Sequence, residues 1–494
     1  MTAPARVPFA VPDEIAHDVI AREPLWYAYA AGDDHPAPPS WAAGPSPEAA
    51  GHADPYPAGL IRADDRIPLP FGTLDLLETA AFPHGRVSDP VADPLGHALA
   101  AAFGPQWYDL DNPYNPHRGY ASGRSHYPVQ VFVDDGTRWR LLEPDRHALT
   151  GLAHASPGRY RRLALTGRYA RVLPSYRWFR GSLVHAELGI ALRALSVALY
   201  RFGLPATLRM PGPDGPALIA GLGLRPTGEW SLPLVVDLAA GRPDATTVAD
   251  ERPDDPVLAE LFDVNRAQRY PDRPAPLGCG VPSGAAVPGE SWAELTWRRN
   301  SGRVPAGLLG FAARPCRVDG SVLEDAARWL RLAPPSATLA GVAARTTLTV
   351  AVQNVTGYAD GVHRVGPDGS LELVRADPDI AARLEGVYGY ARSPSSGCDV
   401  RHAAMLWFLS VRPRDLHAAY GPAGWTAAQY VAGWAVHGLG LAATAGGLFA
   451  RPVRAFDEEP TRDLLGLGPD EMIALAAIAG TPRHPSGAVL DIRL

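Results

Sequence analysis

One short phrase of the chain concentrates groups that bind anions. It reads Trp297-Arg298-Arg299-Asn300-Ser301-Gly302-Arg303 and supplies three guanidinium groups and a hydroxyl. Guanidinium forks bind phosphate groups bidentately, so Arg298, Arg299 and Arg303, with the Ser301 hydroxyl, are candidate phosphate ligands. The alternative is a set of solvated surface charges.

A second phrase supplies small residues ahead of a predicted strand. It runs Gly119-Tyr-Ala-Ser122-Gly123-Arg-Ser-His-Tyr-Pro128. Glycine lets a backbone approach a ligand closely, so Ser122 and Gly123 are candidates for contact with a flat ring. The alternative is an ordinary turn before the strand.

The sequence contains no lysine, so all of its 46 basic residues are arginine. A Schiff base or a lysine general base is therefore excluded. The 15 histidines are scattered without metal-binding spacing, and three widely separated cysteines form no zinc pattern. No metal site is expected.

Composition limits the class of protein. A chain of 494 residues with 46% hydrophobic residues has room for two or three folded domains. The net charge of −6 gives no reason to expect nucleic acid as a partner. Few cysteines, no apolar leader and no run of about 18 apolar residues predict a reduced, cytoplasmic protein without a membrane span.

A long-range repeat organises the chain. The apolar segment 186–204 recurs as 431–448, with Gly189 matching Gly433 and Gly203 matching Gly447, each pair 244 residues apart. A second phrase follows each copy, beginning at Gly221-Leu in the first and at Gly466-Leu in the second. Shared phrases in the same order predict a duplicated domain of about 200 residues.

The same secondary-structure order is predicted twice. Alternating β-branched residues around Asp-Gly turns predict hairpins, and apolar residues at helical spacing predict long helices. Ser291 and Glu294 have the spacing of a capping box. The predicted hairpins are 129–133 with 139–142 and 348–352 with 362–365; the helices are 183–204 and 427–448; and the buried strands are 234–238 and 475–478.

Strands interleaved with long apolar helices indicate a layered α+β fold. We predict an Ala/Pro-rich N-terminal extension over 1–60 that includes a short helix over 13–22. A first domain over 61–245, a linker over 246–290 and a second domain over 291–494 follow it.

Taken in order, the arginine phrase, the Ser-Gly phrase and the helix ending at Gly446-Gly447-Leu448 resemble the FMN-dependent nitroreductase superfamily. The branch they are most similar to is the SagB- or McbC-type azoline dehydrogenases. The resemblance covers roughly 105–240 and 290–490. It implies two tandem nitroreductase-like domains, with antiparallel-rich sheets flanked by helices, that form an intramolecular pseudo-dimer.

The resemblance also implies where FMN binds. Members of the family bind FMN at a dimer interface, taking the arginine phrase from one subunit and the Ser-Gly phrase from the other. Here the two phrases lie in different copies, and the first copy offers only Arg62–Arg66 in place of the arginine phrase. One complete FMN site and one degenerate site are therefore expected. Gly446 and Gly447 are expected beneath the flavin, unless they only end a helix, and Arg483 is expected near the phosphate.

Catalysis is predicted to depart from the family pattern. Azoline dehydrogenases of this kind carry a Lys-Tyr pair, whereas the matching positions here are Arg168-Tyr169 and Tyr420. Our hypothesis is that Tyr169 removes the ring α-proton, helped by Arg168, which would lower the pKa of the phenol. Tyr420 is the second candidate, and simple packing is the alternative for Tyr169.

The predicted activity is FMN-dependent oxidation of thiazolines or oxazolines to azoles in a ribosomally made precursor peptide, with electrons passing to O2. A cyclodehydratase complex is the expected partner, and the chain is expected to be a monomer. Two other hypotheses of function remain: a general NAD(P)H-dependent nitro or quinone reductase, and a flavin-free pseudoenzyme that acts as a peptide-binding scaffold.

Overall fold

The computed structural model describes residues 59–110, 114–155, 161–172, 179–212, 214–224, 229–238, 270–302, 311–389, 399–483 and 488–494, with scattered positions between 212 and 270. The predicted helix over 13–22 and almost all of the N-terminal extension lie outside these residues, as does Arg303.

Two antiparallel sheets form the framework. The first contains β1 (Ile61–Pro68), β4 (Val129–Asp135), β5 (Arg138–Glu143), β6 (Ala148–Ala155), β7 (Arg161–Gly167), β8 (Thr207–Arg209), β9 (Leu234–Asp237) and β10 (Ala275–Pro276). The second contains β11 (Thr347–Val352), β12 (Gly361–Val365), β13 (Leu371–Ala376), β14 (Met405–Val411), β15 (Phe449–Val453) and β16 (Met472–Gly480). A small third sheet contains β2 (Pro105–Asp109), β3 (His117–Arg118) and β17 (Val489–Asp491).

The two large sheets have the same strand order. The first runs β1-β6-β5-β4-β7-β9-β8-β10, and the second runs β13-β12-β11-β14-β16-β15. Six strands of the first therefore correspond one to one with the six of the second. Both predicted hairpins, β4–β5 and β11–β12, are confirmed, as are the buried strands β9 and β16.

Eleven helices pack around these sheets in the described part of the chain. They are α1 (Thr73–Thr79), α2 (Pro94–Phe103), α3 (Phe179–Arg201), α4 (Gly215–Gly221), α5 (Trp292–Arg298), α6 (Gly320–Arg331), α7 (Ala337–Ala344), α8 (Ile380–Gly386), α9 (Pro413–Tyr420), α10 (Ala423–Ala445) and α11 (Glu458–Leu465). The predicted capping box at Ser291 and Glu294 starts α5. The long helices α3 and α10 follow β7 and β14 respectively, as the repeat requires.

Helices α3 and α10 cross at the paired glycines. A methyl group on Gly433 would lie 2.7 Å from the carbonyl carbon of Ala186, and one on Gly189 would lie 2.9 Å from that of Tyr430. Ala186 and Tyr430 are themselves 244 residues apart, so each copy presents the same surface to the other. This is the self-complementary contact of a two-fold dimer, made here within one chain.

The ends of equivalent helices confirm the duplication and correct one detail of it. Gly203 and Gly447 both have left-handed backbones, and the next amides, of Leu204 and Leu448, close the same Schellman turn. The turn that closes the helix before β9 has its left-handed residue at Gly223, and Gly466 has the same left-handed conformation before β16. The predicted match of Gly221 with Gly466 is therefore wrong by two residues.

The two halves are also joined outside the helix pair. Strand β17, near the end of the chain, pairs with β2 of the first half. Strand β10, inside the predicted linker, pairs with β8 and extends the first sheet. Helix α3 has the length and hydropathy of a membrane span, but 94% of its most apolar window is buried inside the protein, as in a core helix.

Candidate functional site

The arginine phrase of the second half reaches the first half through Arg299. This side chain is 5% exposed, and its Nη2 donates a hydrogen bond to the backbone oxygen of Arg118 at 3.0 Å. Arg298, the last residue of α5, lies in an ion pair with Glu290 and is half exposed. The phrases on either side of the predicted interface are therefore adjacent.

Two further arginines contact the neighbouring residues Phe311 and Ala312. Arg451 of β15 donates from Nη1 to the backbone oxygen of Ser301 at 3.3 Å and lies 5.6 Å from the centre of the Phe311 ring. The backbone amide of Arg483 donates to Ala312 at 3.0 Å, and its side chain pairs with Asp399 at 3.4 Å. Ser301 and Arg483 were predicted phosphate ligands, whereas Arg451 was missed; its position just after the Gly446-Gly447 helix end was the available signal.

In the described part of the first half, no arginine pair directly follows helix α1. Helix α1 corresponds in order to α5, and these two seven-residue helices end at Thr79 and Arg298 respectively. Ala80, the residue that follows α1, thus occupies the place of Arg299, the residue that follows α5. The proposed substitute phrase, Arg62–Arg66, is instead part of edge strand β1, so this prediction is corrected.

The Ser-Gly phrase is held by a carboxyl group that the sequence did not single out. Glu187 of α3 accepts hydrogen bonds at 2.9 Å from both the Ser122 hydroxyl and the Gly123 amide. The Gly123 N–H is therefore directed at Glu187 and not toward a ligand. A sequence signal existed, because Glu187 is a lone acid in the apolar repeat where the second copy has Val431.

Gly446 and Gly447 end helix α10. The amides of Gly447 and Leu448 bond back to the last helical turn, and a methyl on Gly446 would lie 3.1 Å from Val322 Cγ2. This arrangement is the helix-end alternative. Contact between these glycines and a flavin stays a prediction.

Tyr169 is fully buried at the base of α3. Its hydroxyl lies 3.0 Å from His185 Nε2 and donates to Asn265 Oδ1 at 3.1 Å. Burial raises the pKa of the Tyr169 phenol above its usual value, and Arg168 pairs with Glu229 at 3.6 Å. The expectation that Arg168 lowers this pKa is corrected, because desolvation disfavours the tyrosinate. A role of Tyr169 in a reaction stays a prediction.

Tyr420 lies at the end of α9, away from these groups. Arg345 Nη1 donates to its hydroxyl at 3.1 Å, and the hydroxyl packs against Gly341 of α7. Among the described residues, no hydrogen bond joins either tyrosine to the arginine phrase or to the Ser-Gly phrase. Within the same part of the chain, no cluster of three His, Cys, Asp or Glu side chains is arranged to hold a metal ion.

Comparison with known proteins supports the fold. No protein-family model and no curated protein sequence matches the chain. A solved structure from Anabaena variabilis, named as a nitroreductase, matches with a TM-score of 0.60 at 15% identity, covering 89% of this chain and 97% of that one. Because this match spans both halves, each half contributes to a nitroreductase-like fold.

Two further solved structures match part of the chain. A protein from Ralstonia eutropha, also named as a nitroreductase, has a TM-score of 0.30 at 18% identity and covers 44% of this chain and 97% of its own. The E. coli microcin synthetase McbBCD complex with truncated pro-MccB17 bound has a TM-score of 0.30 at 14% identity, covering 37% of this chain and 72% of that chain.

Proposed function

We propose that this protein is an FMN-dependent oxidoreductase with a single flavin site between its two halves. The observation that carries the proposal is the hydrogen bond from Arg299 of the second half to Arg118 of the first, four residues before Ser122. It brings together the two phrases that the family resemblance assigns to opposite sides of one flavin. On the other side, Ala80 in place of Arg299 argues against a second site.

The side chains present fit the phosphate end of FMN. Arg451 bonds to the backbone oxygen of Ser301 and lies over the Phe311 ring, and the backbone of Arg483 bonds to the neighbouring Ala312. Guanidinium and hydroxyl groups such as theirs bind a phosphate dianion. At the ring end, Ser122 and Gly123 would allow close approach of a flat ring. When bound, FMN supplies a hydride acceptor.

The substrate proposal is more specific. We propose that a peptide azoline, a thiazoline or oxazoline, is oxidised to the azole, with O2 as the final electron acceptor and a cyclodehydratase as the partner. Support comes from the ordered resemblance of the three phrases to azoline dehydrogenases. The domain boundaries, the monomeric state and a cytoplasmic location belong to the same proposal.

The test is a turnover assay with the whole chain loaded with FMN. A peptide carrying one thiazoline is incubated aerobically, and mass spectrometry follows the loss of two hydrogens. An Arg299→Leu variant serves as the matched control. Conversion by the wild type and not by the variant supports the proposal. Rapid flavin bleaching by NADPH with an unchanged peptide would instead identify a general nitro or quinone reductase.

One observation favours a second candidate, a flavin-free peptide-binding scaffold. Several predicted flavin donors already bond within the protein: Gly123 with Glu187, Arg298 with Glu290 and Arg483 with Asp399. Absorbance of the purified protein after mixing with excess FMN and gel filtration distinguishes the two candidates. A retained flavin band argues against the scaffold, and a colourless protein argues against the oxidoreductase.

A further inference from the structure

Glu187 is a buried acid whose bonding does not fit a purely structural role. It is 3% exposed on α3, and both of its hydrogen bonds reach Oε1. Within the described residues, Oε2 has no hydrogen-bond partner although it is buried. Burying such a group costs stability, and the equivalent position in α10 is Val431, so the helix pair does not need a carboxyl here.

The loop that Glu187 holds is strained. Arg124, Ser125 and Tyr127 have φ values of 50°, 53° and 43°, in the left-handed region that side chains other than glycine seldom adopt. Such a backbone conformation costs free energy and persists only when its surroundings fix it. The strained segment, Ser122–Tyr127, is called the Ser-Gly loop below.

A continuous chain of hydrogen bonds connects Glu187 to the arginine phrase. The Ser122 hydroxyl donates to Glu187 and accepts from the Tyr127 amide at 2.9 Å. The Tyr127 hydroxyl accepts from the Arg118 amide at 2.9 Å, and the Arg118 carbonyl accepts from Arg299 at 3.0 Å. Glu187 in the first half therefore fixes one end of a path that ends on the second half's arginine phrase.

The charges facing Glu187 come from three segments. Arg171 of the turn after β7 and Arg118 of β3 favour the carboxylate, and the Tyr120 phenol lies in the same buried group. Burial outweighs the hydrogen bonds and the arginines and raises the pKa of Glu187 to about 7. Both protonation states are therefore populated near neutral pH. The ionised state makes stronger, charge-assisted bonds to Ser122 and Gly123.

We propose that Glu187 is a positioning residue of the flavin site: its carboxylate holds the Ser-Gly loop in the strained conformation that faces the arginine phrase, and proton uptake loosens the loop and weakens FMN binding. This inference rests on the proposed function. It adds a residue that acts through Ser122 and Gly123, and it makes the affinity for flavin depend on pH.

The first arm of the test uses the protein without added flavin. Hydrogen exchange of peptides covering 120–128 is measured from pH 5.5 to 8.5 and corrected for intrinsic rates. In the wild type, protection of the loop is expected to fall as the pH drops through 7. Glu187→Gln retains an oxygen acceptor but cannot titrate, so its protection should be independent of pH. Glu187→Val, the residue of the second copy, should lose protection at every pH.

Glu385→Gln is the matched control for removing a buried carboxylate. Glu385 bonds to Arg401 in the second half and should leave the Ser-Gly loop unchanged. Far-UV circular dichroism shows whether each variant folds. If a folded Glu187→Val protein protects the loop as well as the wild type does, the anchoring role is overturned. If the wild type and Glu187→Gln have equal pH profiles, the role of the proton is overturned.

The second arm measures FMN affinity by quenching of flavin fluorescence at pH 6 and pH 8. If only the ionised state binds, wild-type affinity should be about tenfold higher at pH 8, beyond any change shown by Glu187→Gln. Titration of the FMN phosphate affects both proteins equally and cancels. Equal ratios would refute the proposed link to flavin. If FMN binds at neither pH 6 nor pH 8, the proposed function is refuted. Hydrogen exchange still decides in that case whether Glu187 anchors the loop.

Discussion

Replacing Gly433 with alanine is expected to destabilise the protein at the contact between its two halves. The new methyl group would lie 2.7 Å from the carbonyl carbon of Ala186 and 3.0 Å from the amide nitrogen of Ile190. Carbon atoms in contact are normally about 3.5–4.0 Å apart, so α3 and α10 would have to separate by about 1 Å.

The size of the effect follows from two opposing terms. Overpacking costs about 1–3 kcal/mol of unfolding free energy. The cost here should lie near the upper end of that range, because the methyl group would contact backbone carbonyl groups, which cannot rotate away. Alanine in place of glycine returns about 1 kcal/mol of helix propensity. The expected net loss is therefore about 2 kcal/mol of unfolding free energy.

Gly440→Ala is the matched control on the same helix. No atom lies within 4 Å of a methyl group at this position, so the variant should gain up to about 1 kcal/mol. Urea denaturation followed by circular dichroism measures both variants, and Gly189→Ala should behave like Gly433→Ala. Equal stability of the Gly433 and Gly440 variants would refute the close glycine crossing.

Three more predictions concern the site. Arg299→Leu should weaken FMN binding by about 10–100-fold, measured by fluorescence titration, whereas Arg298→Leu, which removes a half-exposed side chain, should change it by only a few-fold. Tyr169→Phe should lower the unfolding free energy by about 1–3 kcal/mol because two buried partners lose a hydrogen bond; unchanged turnover in that variant would remove Tyr169 as the base. Global unfolding, unlike loosening of the loop, exposes Glu187 to water, and the pKa of this carboxyl rises from 4.5 to about 7 on folding. Its contribution to the free energy of unfolding should therefore be full below pH 4.5 and fall by up to about 3 kcal/mol as the pH rises through 7. Urea midpoints across this range should lose that slope in Glu187→Gln, and an unaltered slope would contradict the assignment.

The periodic parts of the fold could be predicted from the sequence. Apolar residues at helical spacing predicted α3 and α10. Both helices are buried on nearly all sides, which explains why their sequences are so apolar. The shared Gly203 and Gly447 marked equivalent helix ends, since only a left-handed residue closes the Schellman turn without strain. These features depend on local chemistry, which the sequence displays directly.

The site was less predictable because its bonds join distant segments. Glu187 lies 65 residues from Ser122, and neither residue carries a local signal of the other. Tyr169 was predicted as a base, with packing as the alternative, and Asn265, 96 residues away in the sequence, helps to enclose its hydroxyl. In the first copy, charge alone offered only Arg62–Arg66 as a poor substitute for the arginine phrase. The ends of the equivalent helices place Thr79 and Ala80, which are uncharged, at the positions of Arg298 and Arg299.

We propose that one chain binds one flavin between two unequal halves. Native mass spectrometry of the whole protein in excess FMN tests it most directly, since it reports the number of chains and the number of flavins together. We expect a single chain carrying one FMN, and we expect Arg299→Leu to shift the population toward the flavin-free chain. Two flavins per chain, or flavin found only in a homodimer, would contradict it.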